Sequence, residues 1–121
     1  NFRIMPFLKI QVSSPSISET SSSALQSEGA KIISQETGKS LDFVMVLVES
    51  GAKLSFGGRA DPAGYIEVKS VGKLTSDVAA KLSGRICALV ESELSIPKDR
   101  VYIEFQESER HLWGWDGKTF A

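Results

Sequence analysis

Cysteine and histidine each occur only once in the 121 residues. Cys87 alone cannot form an intrachain disulfide, and it excludes a cysteine-ligated zinc site or a Cys-x-x-Cys redox pair. His111 alone excludes any site that needs two imidazoles. An excess of either charge is lacking too: 14 Lys+Arg stand against 15 Asp+Glu, a formal net charge of −1. Without a basic surplus, no nucleic-acid partner is expected. No apolar run approaches the roughly 18 residues of a membrane span, so no membrane partner is expected either. The start shows no basic-then-apolar secretory signal. These shortages fit a reducing, cytoplasmic setting.

What is present has the proportions of a globular domain: 41% hydrophobic and 24% charged residues. The length suits one domain with a core of its own. Phe7–Ser13 alternates, with Leu8, Ile10 and Val12 on one side and Lys9 and Gln11 on the other, which predicts a half-buried strand. The serine-rich stretch that follows reads as a polar loop entering a helix capped by Ser18. Leu25, Ile32 and Ile33 mark the buried side of that helix, and Gly38 its C-terminal glycine. Phe43–Val48 is apolar throughout, which suits a strand covered on both faces.

The pattern then repeats. Tyr65–Val71 alternates Ile66, Val68 and Ser70 against Glu67 and Lys69. Val78, Leu82, Ile86, Leu89 and Val90 form a second helical stripe, on which Cys87 reads as buried and inert. Pro97 ends that helix, and Val101–Gln106 is the next strand. The fold class is therefore α+β: two β-α-β pseudo-repeats of about 45 residues each. They would share a four-stranded mixed sheet with two helices on one face. Short edge strands and a C-terminal hairpin turning at Asp116-Gly117 complete the expected architecture. The other face of such a sheet is bare, yet Phe43–Val48 is apolar on both sides. A covering partner is implied, most simply copies of the same chain.

Taken together, Met5-Pro6, Thr37-Gly38-Lys39, Ser55-Phe56-Gly57-Gly58, Asp61-Pro62, Lys69-Ser70-Val71-Gly72-Lys73, Pro97–Ile103, Gly114-Trp115 and Thr119-Phe120 form a specific series. In their order and spacing the chain resembles the macrophage migration inhibitory factor (MIF) family of the tautomerase superfamily. The resemblance covers almost all of Pro6–Ala121. It implies a homotrimer of doubled β-α-β units with active sites at the subunit boundaries, no metal and no cofactor. The implied chemistry is keto–enol tautomerisation of small aromatic 2-keto acids such as phenylpyruvate, with an N-terminal proline as base. A free α-amine has a pKa of about 7.7–8.0, and an apolar pocket or a nearby cation disfavours its protonated form.

Carried over residue by residue, Pro6 would be the base, and Lys39 would hold the substrate carboxylate and help lower the proline pKa. Ser70 and Val71 would line the pocket. Tyr102 from the adjacent subunit would pack near the proline. Phe43, Trp113, Trp115 and Phe120 would supply apolar walls. Glu104 stands where the best-known animal members carry asparagine, and Lys69 replaces a histidine beside the pocket. Ala63-Gly64-Tyr65-Ile66 occupies the segment of their Cys-x-x-Cys, so thiol–disulfide chemistry is not expected. Glu67, Glu104 and Glu107 read as solvated or ion-paired strand residues, and His111 as exposed. Residues 1–5 read as an extension, either an added remnant or an upstream start, before a tautomerase-like domain at 6–121. The alternative functional reading is a MIF-like cytokine or interaction module with a protein partner and a vestigial site. Release from the cell would then follow a non-classical route.

Overall fold

Strand β1, Phe7–Val12, buries every second residue, so Leu8, Ile10 and Val12 are fully enclosed while Lys9 and Gln11 face outward. The computed structural model describes residues 5–121; residues 1–4, most of the expected extension, lie outside the described residues. Helix α1, Glu19–Thr37, starts where Ser18 Oγ accepts the Ser21 N–H at 3.0 Å. It buries Leu25, Ile32 and Ile33, together with Gly29. A Cβ at Gly29 would stand 2.9 Å from Leu8 Cδ2, so glycine lets the helix lie close on β1. The helix ends at Gly38 in the left-handed conformation, φ 73°.

Strand β2 is Met45–Glu49, shorter than the apolar run that marks it. Phe43, expected within this strand, instead closes a single 3-10 turn, Leu41–Phe43. The cause is local: Ser40 Oγ accepts the Asp42 N–H at 3.2 Å, which starts a turn before the chain can extend. The second repeat supplies β3 (Gly64–Val71), α2 (Ser76–Leu94) and β4 (Val101–Ser108). Thr75 caps α2, and Leu82, Ile86, Cys87 and Val90 form its buried stripe. The tail forms a hairpin, β5 (Gly114–Trp115) with β6 (Lys118–Thr119). Asp116 and Gly117 both have positive φ, as a tight hairpin turn requires.

The main sheet has the order β2-β1-β3-β4. β1 runs parallel to β2 and antiparallel to β3, and β3 runs parallel to β4. Each β-α-β unit thus keeps its own strands together, and the units join at β1–β3. One core of Leu8, Ile10, Ile33, Ile66, Val68, Leu82, Ile86 and Val90 fills the space between the sheet and both helices. The open face alternates differently. Lys9, Glu67 and Glu104 are neighbours in register across it, as are Gln11 and Tyr65. Its exposed apolar side chains lie at the two edges, Met45 (67%) and Leu47 (39%) on β2 and Tyr102 (67%) on β4. Within one chain β2 is therefore covered on one face only, because both helices pack on the same side of the sheet.

Candidate active site

A cleft of about 380 Å³ opens at the start of β1, lined by Met5, Pro6, Phe7, Phe43, Met45, Leu112, Trp113, Gly114 and Trp115. Three separate elements build it. The chain entering β1 supplies Pro6, which is fully buried. The strap between α1 and β2 supplies Phe43. The C-terminal hairpin brings Trp113 and Trp115, and the Phe43 and Trp115 rings meet edge to face with centroids 5.7 Å apart. The Met45 N–H donates to the Pro6 carbonyl at 3.2 Å, so the strap and the proline are bonded directly. Four of the expected site residues, Pro6, Phe43, Trp113 and Trp115, therefore share one apolar cleft.

Phe120 stands beside this group. Its N–H reaches the Arg110 carbonyl at 3.1 Å and the Trp113 carbonyl at 3.3 Å. Its own carbonyl accepts from Arg110 Nε at 3.0 Å. Lys39 is half-buried on the strap that carries Phe43. Ser70 and Val71 are buried at the end of β3. Ser70 shares the helix-facing alternation of Ile66 and Val68, and its Oγ donates to the Val71 carbonyl at 3.3 Å.

Tyr102 lies elsewhere. It pairs in register with Tyr65, whereas Phe7 pairs with Lys69. That separation is roughly 13 Å along β3 alone, with two further strand spacings of about 4.8 Å across the sheet. Tyr102 instead lines a second cleft of about 300 Å³ with Phe56, Ala63, Gly64 and Tyr65, and its ring lies 4.8 Å from that of Phe56. Within one chain Tyr102 cannot reach Pro6. Glu104 is exposed on the open face, also away from the proline cleft.

Periodicity did not single out two of the cleft residues, Met45 and Leu112. Met45 belongs to the apolar run, and Leu112 directly precedes Trp113, so adjacency to Phe43 and Trp113 was the only signal available. Tyr65 was missed as well. Its hydroxyl lies 2.8 Å from Glu67 Oε2 and 3.0 Å from Glu104 Oε1. Same-face spacing of Tyr65 and Glu67, with Glu104 opposite Glu67, could have pointed to it. Glu67 also pairs with Lys69 at 3.6 Å, and Glu107 accepts the Leu74 N–H at 2.6 Å. Glu67 is thus ion-paired, while Glu104 and Glu107 are engaged by hydrogen bonds. Among the described residues no group of three His, Cys, Asp or Glu could hold a metal ion.

The phenol bond to Glu67, with burial and the Glu104 bond, pushes the Tyr65 pKa far above its ordinary range. The same phenol bond lowers the Glu67 pKa, against the smaller opposing effect of burial. The signs follow from which form the fold prefers. Stability from the raised Tyr65 is full below the ordinary phenol pKa and fades as pH rises through the folded value. Stability from the lowered Glu67 is full above the ordinary carboxyl pKa and fades as pH falls through its folded value. Spectrophotometric titration should show one phenol that stays un-ionised well past the usual tyrosine pKa of about 10. Tyr65→Phe should remove that late phase; its survival in the variant would refute the assignment.

The family model for macrophage migration inhibitory factor matches residues 5–121. The macrophage migration inhibitory factor homolog of Brugia malayi is 32% identical over 117 residues, covering 97% of this chain and 100% of that protein. The macrophage migration inhibitory factor of Rattus norvegicus is 33% identical over 95 residues, 78% of this chain and 83% of the relative. Among solved structures, the homologue from Prochlorococcus marinus superposes with a TM-score of 0.89 at 35% identity, covering 95% of this chain and 99% of that one. The protein has the fold of the tautomerase superfamily. Within it, the chain belongs to the macrophage migration inhibitory factor family.

Proposed function

We propose that this protein is a keto–enol tautomerase of phenylpyruvate-type 2-keto acids, with Pro6 as general base once the residues before it are removed. The observation that carries the reading is the cleft itself: Pro6 sits in it among Phe43, Trp113 and Trp115. A proline freed at its nitrogen is a secondary amine held by a rigid ring. In its neutral form it takes a proton from the carbon next to the ketone and returns it to the carbonyl oxygen, so keto and enol forms interconvert with no net gain or loss of atoms. The aromatic walls suit a phenyl ring, and about 380 Å³ lies in the size range of small-molecule sites. Lys39 holds the carboxylate and, as a cation, favours the neutral amine. Ser70, Val71 and Phe120 close the pocket. The functional domain is 6–121.

The site is completed by assembly. A homotrimer covers the Met45–Leu47 edge and brings a neighbour's Tyr102, with Glu104 behind it, to each proline. Light scattering should give about three times the 13.1 kDa subunit mass. A stable monomer at micromolar concentration would overturn both the assembly and the shared site.

The carboxylate assignment is tested by Lys39→Ala in protein beginning at Pro6. Loss of a charge-assisted hydrogen bond costs about 1.5–3 kcal/mol, or roughly 10- to 150-fold in binding. KM for phenylpyruvate should rise by that order, with a much smaller change for a keto substrate lacking a carboxylate. Equal losses on both would show that Lys39 does not hold the acid group.

A further inference from the structure

We propose that the hydroxyls of Ser34 and Thr37, on the last turn of α1, are positioning residues that aim Lys39 at the substrate carboxylate; this rests on the role of Lys39 given above. The Gly38 N–H returns to the Ser34 carbonyl at 2.9 Å, and the chain leaves the helix there. The next residue after such a glycine commonly meets water. Here Ser34 Oγ donates to the Lys39 carbonyl at 2.6 Å. Thr37 Oγ1 accepts the Lys39 N–H at 3.2 Å and gives its own proton to the Ile33 carbonyl at 2.6 Å. Both backbone polar groups of Lys39 are thus held by side chains of the helix it follows.

The pinning continues along the strap. Ser40 Oγ accepts the Asp42 N–H, and the Ser40 carbonyl accepts the Phe43 N–H at 3.1 Å. The strap's far end is bonded to the Pro6 carbonyl through Met45. Lys39, Phe43 and Pro6 are therefore linked by one short hydrogen-bonded path. The Lys39 ammonium itself has no hydrogen-bond or ion-pair partner among the described residues. Its backbone is fixed and its charge is uncommitted, which is the arrangement a ligand-holding cation needs. A lysine side chain is flexible, so a fixed Cα limits the volume its ammonium searches and keeps it near productive geometry.

The experiment compares Thr37→Val, Ser34→Ala and Lys39→Ala in protein beginning at Pro6, with Thr37→Ser as the conservative rescue. Thr37→Val keeps the side-chain shape and deletes both of its bonds. KM for phenylpyruvate should rise about 3- to 10-fold, since of the two bonds only the one from the Lys39 N–H holds Lys39, and losing one neutral hydrogen bond has that size. Turnover at saturation should change less than about twofold, since the variant keeps both the proline and the Lys39 charge that favours its neutral amine. A carboxylate-free keto substrate should be unaffected, and Thr37→Ser should return KM to the wild-type value. In the full chain, the Lys39 amide should exchange with solvent faster in Thr37→Val than in wild type or Thr37→Ser, as read by NMR. If Lys39→Ala raises KM but Thr37→Val and Ser34→Ala do not, the positioning role is wrong while the function stands. Equal losses on both substrate types would also overturn it, by showing a purely structural role. If wild type neither binds nor turns over phenylpyruvate, or Lys39→Ala changes nothing, the proposed site falls, and this assignment with it.

Discussion

Phenylpyruvate turnover should rise by about 10²–10⁴-fold when the chain is cut to begin at Pro6, the factor typical of a positioned general base. In the longer chain the Pro6 nitrogen belongs to the Met5–Pro6 peptide bond, where resonance removes the basicity of its lone pair. Geometry adds a second block. Met5 is only 6% exposed and lines the same cleft as Phe43 and Trp115, so the residue before Pro6 fills part of the proposed site. Trimming frees the amine and vacates the cleft together. Pro6→Gly in the trimmed protein separates the two effects: it keeps an amine and an empty cleft but loses the ring that aims the nitrogen. Its activity should fall while light scattering stays unchanged. The comparison is kcat/KM for longer, trimmed and Pro6→Gly proteins, each terminus checked by mass spectrometry. Equal activity in the longer and trimmed proteins would eliminate proline as the base.

A large stability loss should come from Arg100→Ala. This arginine is buried, and its guanidinium donates to four backbone carbonyls of one loop: Pro62 at 2.9 Å, Asp61 at 3.0 Å, and Phe56 and Arg59 at 3.2 Å. No carboxylate pairs with it among the described residues. Carbonyl dipoles offset its charge, together with the Phe56 ring, whose centroid is 5.4 Å away. Hydrogen bonds to a charged group contribute about 1.5–3 kcal/mol each at most, and they are not additive. A loss of about 3 kcal/mol is expected for the cluster, on the order of 10 °C in Tm. Arg100→Lys should recover little, because an ammonium cannot span four carbonyls in the fixed fork of a guanidinium. A Lys variant as stable as wild type would show that the charge matters and the fork does not. The loop also seats Phe56 against Tyr102, so Arg100→Ala should loosen Tyr102 as well.

Much of this architecture was legible because the chain states it twice. Period-two burial in Phe7–Val12 and Gly64–Val71, the caps at Ser18 and Gly38, and the stripe through Leu82, Ile86 and Val90 all form as their local chemistry requires. The misplacement of Phe43 shows the limit of such reading. An apolar run signals burial, and it is silent about a serine just before it that turns the backbone first. The cleft was legible only through family resemblance, since Pro6, Phe43 and Trp115 are far apart in the chain and no periodicity joins them. The Arg100 network was not legible at all. Its acceptors are main-chain carbonyls, which every residue carries and no side-chain pattern reveals.

The two clefts stand in corresponding places of the doubled unit, one at the opening of β1 and the other at the opening of β3. Symmetry alone would let both become reactive corners. Covalent connectivity forbids it for an amine base: Ala63-Gly64 opens the second corner, but its nitrogens are peptide nitrogens in mid-chain and cannot be unmasked without cutting the fold in two. A polypeptide has a single amino terminus, so a doubled unit can repeat a pocket but not an amine base. The second corner carries Tyr102 instead.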